Sequence, residues 1–184
     1  YNIKTQTLEN EHQKNINGYD ASKYKFERVW VPSTDQYTKI PVTIISTKTK
    51  TTKTMIYGYG AYGSMTTTHF RTDILPLLDS GIAYVLAHVR GGGEMGYQWY
   101  MDGKMSNKIK TFEDFIDCTL YLQDQGYCTP LTTYIQGRSA GGLLVGAVLN
   151  MRPDLYDSAI TEVPFVDVVR TMSDPSIPLT TLEY

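Results

Sequence analysis

The chain has 184 residues, of which 41% are hydrophobic and 20% are charged, and this is enough for one domain with a sizeable core. A formal net charge of −2 leaves no basic footprint for nucleic acid or for an acidic membrane surface. No apolar run approaches the length that crosses a bilayer, and two cysteines are too few for a disulfide framework. We therefore expect reduced cysteines and a cytoplasmic protein, with neither nucleic acid nor membrane as a partner.

The first part of the chain is polar and then rich in β-formers. Residues 1–20 carry little periodicity and are interpreted as a linker. Two β-prone runs, 26–31 and 40–45, are joined by a turn-rich stretch, which predicts an antiparallel pair. Residues 46–54 are almost entirely Thr, Lys and Ser, as in a solvated surface loop.

Strands and helices alternate along the remainder. The run at 82–89 is strongly apolar, which is typical of a strand covered on both faces. The alternation predicts an α/β protein with a mostly parallel sheet. The predicted strands are 55–59, 82–89, 132–135 and 158–163, and the predicted helices are 72–78, 143–150 and one that Thr111 caps and Gly126 closes.

Glycine-rich segments follow three of these strands, at 58–63, 90–94 and 137–142. In α/β sheets, ligands bind beyond the carboxyl ends of the strands. The three segments should therefore gather at one edge of the sheet and form a site there.

The segment at 137–142 reads Gly-Arg-Ser-Ala-Gly-Gly, between a β-prone and a helix-prone stretch. Gly-x-Ser-x-Gly in that context is the pattern of a nucleophile elbow, in which small flanking residues permit a sharp strand-to-helix turn. The turn exposes the Ser139 hydroxyl and aims the N–H of Ala140 at a forming oxyanion. The alternative is a plain glycine-rich turn.

Several motifs together resemble a known family. Residues 57–63 (Tyr-Gly-Tyr-Gly-Ala-Tyr-Gly), 89–94 (Val-Arg-Gly-Gly-Gly-Glu) and 137–142 resemble, in order and spacing, the catalytic domain of the prolyl oligopeptidase family of serine peptidases. The resemblance runs from about residue 18 to the last residue and implies an α/β-hydrolase fold. Stretches similar to the oligopeptidase B branch are 98–104, 152–156, 163–169 and 176–181.

The resemblance also implies roles for single residues. Ser139 matches the nucleophile, and the Ala140 N–H and the Tyr59 hydroxyl match the oxyanion donors. Glu183 matches a carboxylate that recognises a basic substrate side chain. Two alternatives stay open: Tyr59 as a packed aromatic residue and Glu183 as an exposed terminal glutamate. We further expect an ion pair of Arg90 with Glu94 to shape the glycine loop.

The base that a serine nucleophile needs is not evident. In this fold the chain order is Ser, then Asp or Glu, then His. All three histidines, His12, His69 and His88, precede Ser139, and His88 falls in an apolar strand where a structural role is expected. We therefore interpret residues 1–20 as a linker or a remnant leading in from a missing propeller domain. Residues 21–184 are interpreted as the N-terminal part of an α/β-hydrolase domain that is incomplete at its C-terminal end.

The leading hypothesis is a serine oligopeptidase that cleaves short peptides after Arg or Lys through an acyl-enzyme, present here as a part that is inactive alone. One alternative keeps the scaffold and changes the substrate, as in an esterase or an acylaminoacyl-type hydrolase. Another is a non-catalytic interaction protein. No cofactor or metal is expected, and the exposed edge of the strand at 158–163 predicts self-association.

Overall fold

A six-stranded mixed sheet forms the centre of the computed structural model, which describes residues 1–8 and 16–184. The strands lie in the order β1-β2-β4-β3-β5-β6. The pairs β1–β2 and β2–β4 are antiparallel, and the other three pairs are parallel. The predicted antiparallel pair and the predicted α/β class are both confirmed. The strands are β1 (Tyr24–Pro32), β2 (Lys39–Thr47), β3 (Lys53–Gly58), β4 (Ile82–Ala87), β5 (Thr133–Arg138) and β6 (Ser158–Glu162).

Helices cover both faces of this sheet. Helices α3 and α4 bury Phe115, Leu122 and Leu144 against one face, and α1 buries Leu78 against the other. Helix α1 overlaps the helix predicted at 72–78, whereas α2 and α5, which also have five residues each, are absent from the sequence predictions. The helices are α1 (Leu75–Asp79), α2 (Tyr97–Met101), α3 (Ile109–Asp124), α4 (Ala140–Met151) and α5 (Val168–Met172).

Thr111 does not cap α3, so that prediction is wrong. The helix already begins at Ile109. The single proton of the buried Thr111 hydroxyl is instead shared between the carbonyls of Arg90, at 2.8 Å, and Gly103, at 3.0 Å. Both carbonyls lie outside α3, so the hydroxyl is not used to cap the helix. Thr111 thereby ties the start of α3 to the glycine loop that follows β4.

Strand β6 lies at one end of the sheet and pairs with β5 alone. Its first four residues are exposed, including Ile160 at 47% of its surface.

Within the described ranges, no helix is both long and apolar enough to cross a membrane.

Candidate active site

The three glycine-rich segments meet at the carboxyl ends of the parallel strands. Strands β3 and β5 are neighbours, with Tyr57 in register with Gln136. A Cβ atom added to Gly141 would lie 2.5 Å from the carbonyl oxygen of Gly58, so α4 begins directly against the end of β3. The N–H of Gly63 donates to the carbonyl of Gly91 at 3.0 Å and joins the third segment. The sheet therefore gathers these segments at the edge where they were expected.

Ser139 links β5 to α4 on a strained backbone. Its φ of 54° and ψ of −114° lie in a region that side chains other than glycine rarely adopt. The Ser139 N–H donates to the carbonyl of Glu162 at 2.9 Å, and the Ser139 carbonyl accepts from the N–H of Gly142 at 2.8 Å. These bonds hold the turn from both sides. The serine itself is exposed, so its hydroxyl is open to a ligand at this edge.

Ala140 is the first residue of α4. The first N–H groups of a helix have no partner within the helix, and the helix dipole makes this end partly positive. The side chain of Ala140 is buried, which fixes the direction of its peptide group. An anion that forms beside Ser139 would therefore meet a free donor.

Tyr59 follows β3 and packs beside the first turn of α4. The Cβ position of Gly141 lies 3.4 Å from the Tyr59 Cα. Burial raises the pKa of the Tyr59 hydroxyl above its ordinary value of 10, and the nearby Tyr57 and Glu183 raise it further. The hydroxyl thus keeps its proton at neutral pH and can donate it in a hydrogen bond.

Glu183 is not an exposed terminal glutamate, because only 2% of its surface is accessible. One carboxylate oxygen accepts from the N–H of Tyr62 at 2.6 Å, and the other accepts from the hydroxyl of Tyr100 at 2.6 Å. The N–H of Met105 donates to the Glu183 carbonyl at 3.0 Å. Glu183 is thus docked on the loop that carries Tyr59.

Four side chains or peptide groups around Glu183 had no role in the sequence reasoning. The Lys104 ammonium donates to the Tyr100 hydroxyl at 2.8 Å, and the Lys108 ammonium donates to the Gly60 carbonyl at 2.5 Å. Tyr62 and Tyr100 contact Glu183 directly. The motif at 98–104 contains Tyr100 and Lys104 and could have pointed to them, whereas no pattern marks Lys108.

The expected ion pair of Arg90 with Glu94 is wrong. The guanidinium of Arg90 turns into the protein, where it pairs with Asp114 at 2.5 Å and with Asp35 at 2.7 Å. Glu94 turns the other way and accepts from the N–H of Thr66 at 2.7 Å. Burial explains why Arg90 pairs with Asp114. The Arg90 side chain is 96% buried, and a buried guanidinium needs close, well-oriented carboxylates; Asp114 is fully buried beside it.

The two described histidines, His69 and His88, make their hydrogen bonds to residues other than Ser139. His88 is 1% exposed, and its ring nitrogens lie 2.9 Å from the Thr43 hydroxyl and 3.3 Å from a Glu94 oxygen, in keeping with a structural role. His69 is exposed and contacts the Thr67 hydroxyl. His12 lies outside the described residues. Within the ranges 1–8 and 16–184, no histidine is hydrogen-bonded to Ser139, and no cluster of His, Cys, Asp or Glu is suited to hold a metal ion.

A scan against protein families matches residues 68–184 to the prolyl oligopeptidase family, Peptidase_S9. The chain belongs to this family. Among curated members, dipeptidyl aminopeptidase BI of Pseudoxanthomonas mexicana is 52% identical over 190 residues, and protease 2 of Moraxella lacunata is 48% identical over 170 residues. Oligopeptidase B from Trypanosoma brucei, solved in a closed form with covalently bound antipain, superimposes with a TM-score of 0.85 at 49% identity.

These members of the prolyl oligopeptidase family are much longer than the chain. The matches cover 100%, 90% and 89% of the chain, but 26%, 24% and 24% of dipeptidyl aminopeptidase BI, protease 2 and oligopeptidase B. The chain therefore corresponds to about a quarter of these proteins, and the α/β-hydrolase fold inferred from the motifs is confirmed as a partial one.

Proposed function

We propose that the chain is the nucleophile-bearing part of a serine peptidase that acts on short peptides through an acyl-enzyme. The observation that carries this proposal is Ser139 itself: an exposed hydroxyl on a strained turn at the start of α4. The family membership and the peptidase names of its members support the same class of reaction.

The proposed first step is attack of the Ser139 oxygen on a substrate carbonyl carbon. The carbonyl oxygen becomes an oxyanion and accepts from the Ala140 N–H and the Tyr59 hydroxyl. The serine proton passes to a general base, which returns it to the leaving amine as the C–N bond breaks. Since no described histidine is bonded to Ser139, the base would come from elsewhere in a longer polypeptide, and the chain alone would not turn over peptides.

Glu183 is the proposed partner of an Arg or Lys side chain on the acyl side of the cleaved bond. A groove of about 450 Å³ between α2 and residues 175–183 includes Glu183 in its lining. A carboxylate has about four acceptor sites, and the Tyr62 and Tyr100 donors occupy two of them. A guanidinium in the groove would complete the set.

Chemical rescue tests the nucleophile. A fluorophosphonate probe should label Ser139 faster as imidazole is added, because imidazole supplies the base that the described residues lack. Labelling should vanish in Ser139→Ala and fall in Tyr59→Phe. Ser64→Ala, an exposed serine of the neighbouring loop, should label like the parent chain. Absence of Ser139-dependent labelling at high imidazole would contradict the proposal and favour the non-catalytic interaction protein.

Titration with N-ethylguanidinium tests the specificity. Its addition should shift the NMR signals of Tyr62 and Tyr100 in the parent chain and in the control variant Glu113→Gln, which changes a glutamate of α3 that does not line the groove. The shifts should be absent in Glu183→Gln, because the neutral amide cannot form the charged pair. Equal shifts in Glu183→Gln would contradict the proposal that Glu183 binds the basic side chain of the substrate.

A second candidate is removal of dipeptides from free N-termini, which the name of the 52% identical relative favours. In a longer polypeptide that contains the chain, a free substrate amine would be required for this activity. Equal rates on substrates with free and acetylated N-termini would exclude it.

A further inference from the structure

Lys108 occupies a central place between the two proposed halves of the site. It directly precedes α3, and its ammonium donates to the Gly60 carbonyl at 2.5 Å. The same ammonium lies 5.2 Å from the centre of the Tyr184 ring and 6.0 Å from that of Phe112. One side chain therefore contacts both the loop after β3 and the segment that carries Glu183.

The carbonyl that Lys108 binds lies between two residues of the site. Gly60 follows Tyr59 and comes two residues before Tyr62, whose N–H binds Glu183. Its φ is +64°, and an added Cβ would clash with Thr111 and would lie 2.7 Å from Val89. Only glycine fits there, and the close packing fixes the direction of its peptide group. A bond to this carbonyl acts directly on residues 59–62.

The charge of Lys108 depends on few neighbours. Burial lowers its pKa to about 8, while the negative charge of Glu183 raises it and so limits this decrease. The other titratable groups of the surrounding segments are Tyr59 and Tyr62 on the loop and Tyr184 beside Glu183. Tyr100 and Lys104 lie beyond the Glu183 carboxylate. Burial raises the pKa values of all four tyrosines above the ordinary value of 10, so they stay neutral near pH 8.

We propose that Lys108 is a positioning residue that holds residues 59–62 against the Glu183 segment and so keeps the oxyanion donor and the substrate-binding carboxylate in register. The inference deepens the proposed function and rests on the roles assigned there to Tyr59 and Glu183. The ammonium form gives the stronger, charge-assisted hydrogen bond, so the restraint weakens when Lys108 loses its proton.

Carbon-detected NMR of the chain tests this between pH 6.5 and 9.5. The carbonyl carbon of Gly60 and the amide nitrogen of Tyr62 should titrate together with a midpoint near pH 8. Both transitions should be lost in Lys108→Met. Lys108→Arg should keep the signals of the protonated parent chain across the range, because arginine stays charged. Lys110→Met, two positions along the chain, should retain the parent curve.

A flat Gly60 signal in the parent chain, or an unchanged curve in Lys108→Met, would overturn the inference. So would a Gly60 transition without a Tyr62 transition, because the restraint would then not reach the Glu183 contact. If Lys108→Met does not fold, Lys108→Arg decides alone, since a surviving titration in that variant assigns it to another group. The NMR result does not depend on Ser139 reactivity, so a failed labelling experiment and a failed positioning role are distinguishable.

Discussion

Ser139 stores backbone strain at the point where the proposed chemistry takes place. A residue in such a sparsely populated conformation costs about 1–3 kcal/mol, and it persists only if its surroundings over-determine it. The bonds from its N–H to Glu162 and from Gly142 to its carbonyl supply that constraint. The fold thus holds the Ser139 backbone in a conformation that serine by itself disfavours.

The strain predicts an unusual order of stability among variants. Ser139→Gly should be more stable than Ser139→Ala by about 1 kcal/mol, because glycine adopts the positive φ without steric cost. Urea unfolding of both variants measures the difference, and both lack the hydroxyl, so its loss cancels. An alanine variant that is as stable as the glycine variant would contradict the stored strain.

Arg90 and its acids form a second residue-scale feature. The guanidinium joins the turn after β1, through Ser33 and Asp35, to α3, through Asp114. Burial by itself would raise the pKa of Asp35, but hydrogen bonds from Thr38, Tyr37 and Arg90 lower it well below its ordinary value of 3.8. The folded state therefore favours the charged form of Asp35.

This lowered pKa predicts how stability depends on pH. The contribution of Asp35 is present above pH 3.8, its unfolded value, and is lost as pH falls toward its folded pKa. Asp35→Asn should therefore show a shallower loss of unfolding free energy from pH 5 to pH 3, by on the order of 1 kcal/mol after solvent screening. Denaturant melts at each pH measure the slope. The exposed Asp124→Asn should follow the parent chain, and an equal change in it would remove the assignment to Asp35.

At the scale of elements, the close approach of α4 to β3 decides where Ser139 sits. Gly141 allows this approach because a side chain there would meet the Gly58 carbonyl. Gly146, five residues further along the same helix, has nothing within 4 Å of its Cβ position. Although both glycines lie in α4, the packing excludes a side chain at Gly141 and leaves space for one at Gly146.

Alanine substitutions should separate these reasons. Gly141→Ala should lower the free energy of unfolding by about 1–3 kcal/mol through overpacking and should slow probe labelling of Ser139. Gly146→Ala should raise the free energy of unfolding by about 0.5–1 kcal/mol, because alanine has the better helix propensity. Thermal denaturation gives both values. An unchanged free energy of unfolding in Gly141→Ala would contradict the close contact between α4 and the end of β3.

Elements whose pattern is local can be predicted from the sequence. The apolar runs of β3 and β4 and the Gly-x-Ser-x-Gly context of Ser139 are visible because their cause lies within a few neighbouring residues. The roles of Thr111 and Arg90 cannot be predicted in this way, because the Arg90 carbonyl and the Asp114 carboxylate that they bind become their neighbours only after folding. Lys108 carries no pattern at all, since its carbonyl partner lies 48 residues away.

At the scale of the whole molecule, the main feature is the free edge of β6, which among the described residues pairs with β5 alone. An edge strand offers unpaired N–H and C=O groups to another chain. Ile160 is 47% exposed within β6, and Val163 just beyond it is 69% exposed. An exposed strand with apolar side chains favours pairing between copies.

A charge on this edge should suppress that pairing. Ile160→Lys should shift the chain toward the monomer in analytical ultracentrifugation, because lysine on an edge strand opposes strand addition. Leu131→Lys makes the same change in charge at a side chain that is 79% exposed in the turn before β5, outside the strands, and it should leave the distribution unchanged. A monomeric parent chain would contradict self-association through β6.

The contact between Glu183 and Tyr62 also sets an order of folding. The two residues are separated by 121 positions. Closing a loop of that length costs about 4 kcal/mol of chain entropy, whereas one hydrogen bond returns about 1 kcal/mol net. The contact therefore cannot form in an unfolded chain and must await the sheet, which shortens the effective separation. The strands and the elbow can therefore assemble before the carboxylate of Glu183 docks on the N–H of Tyr62.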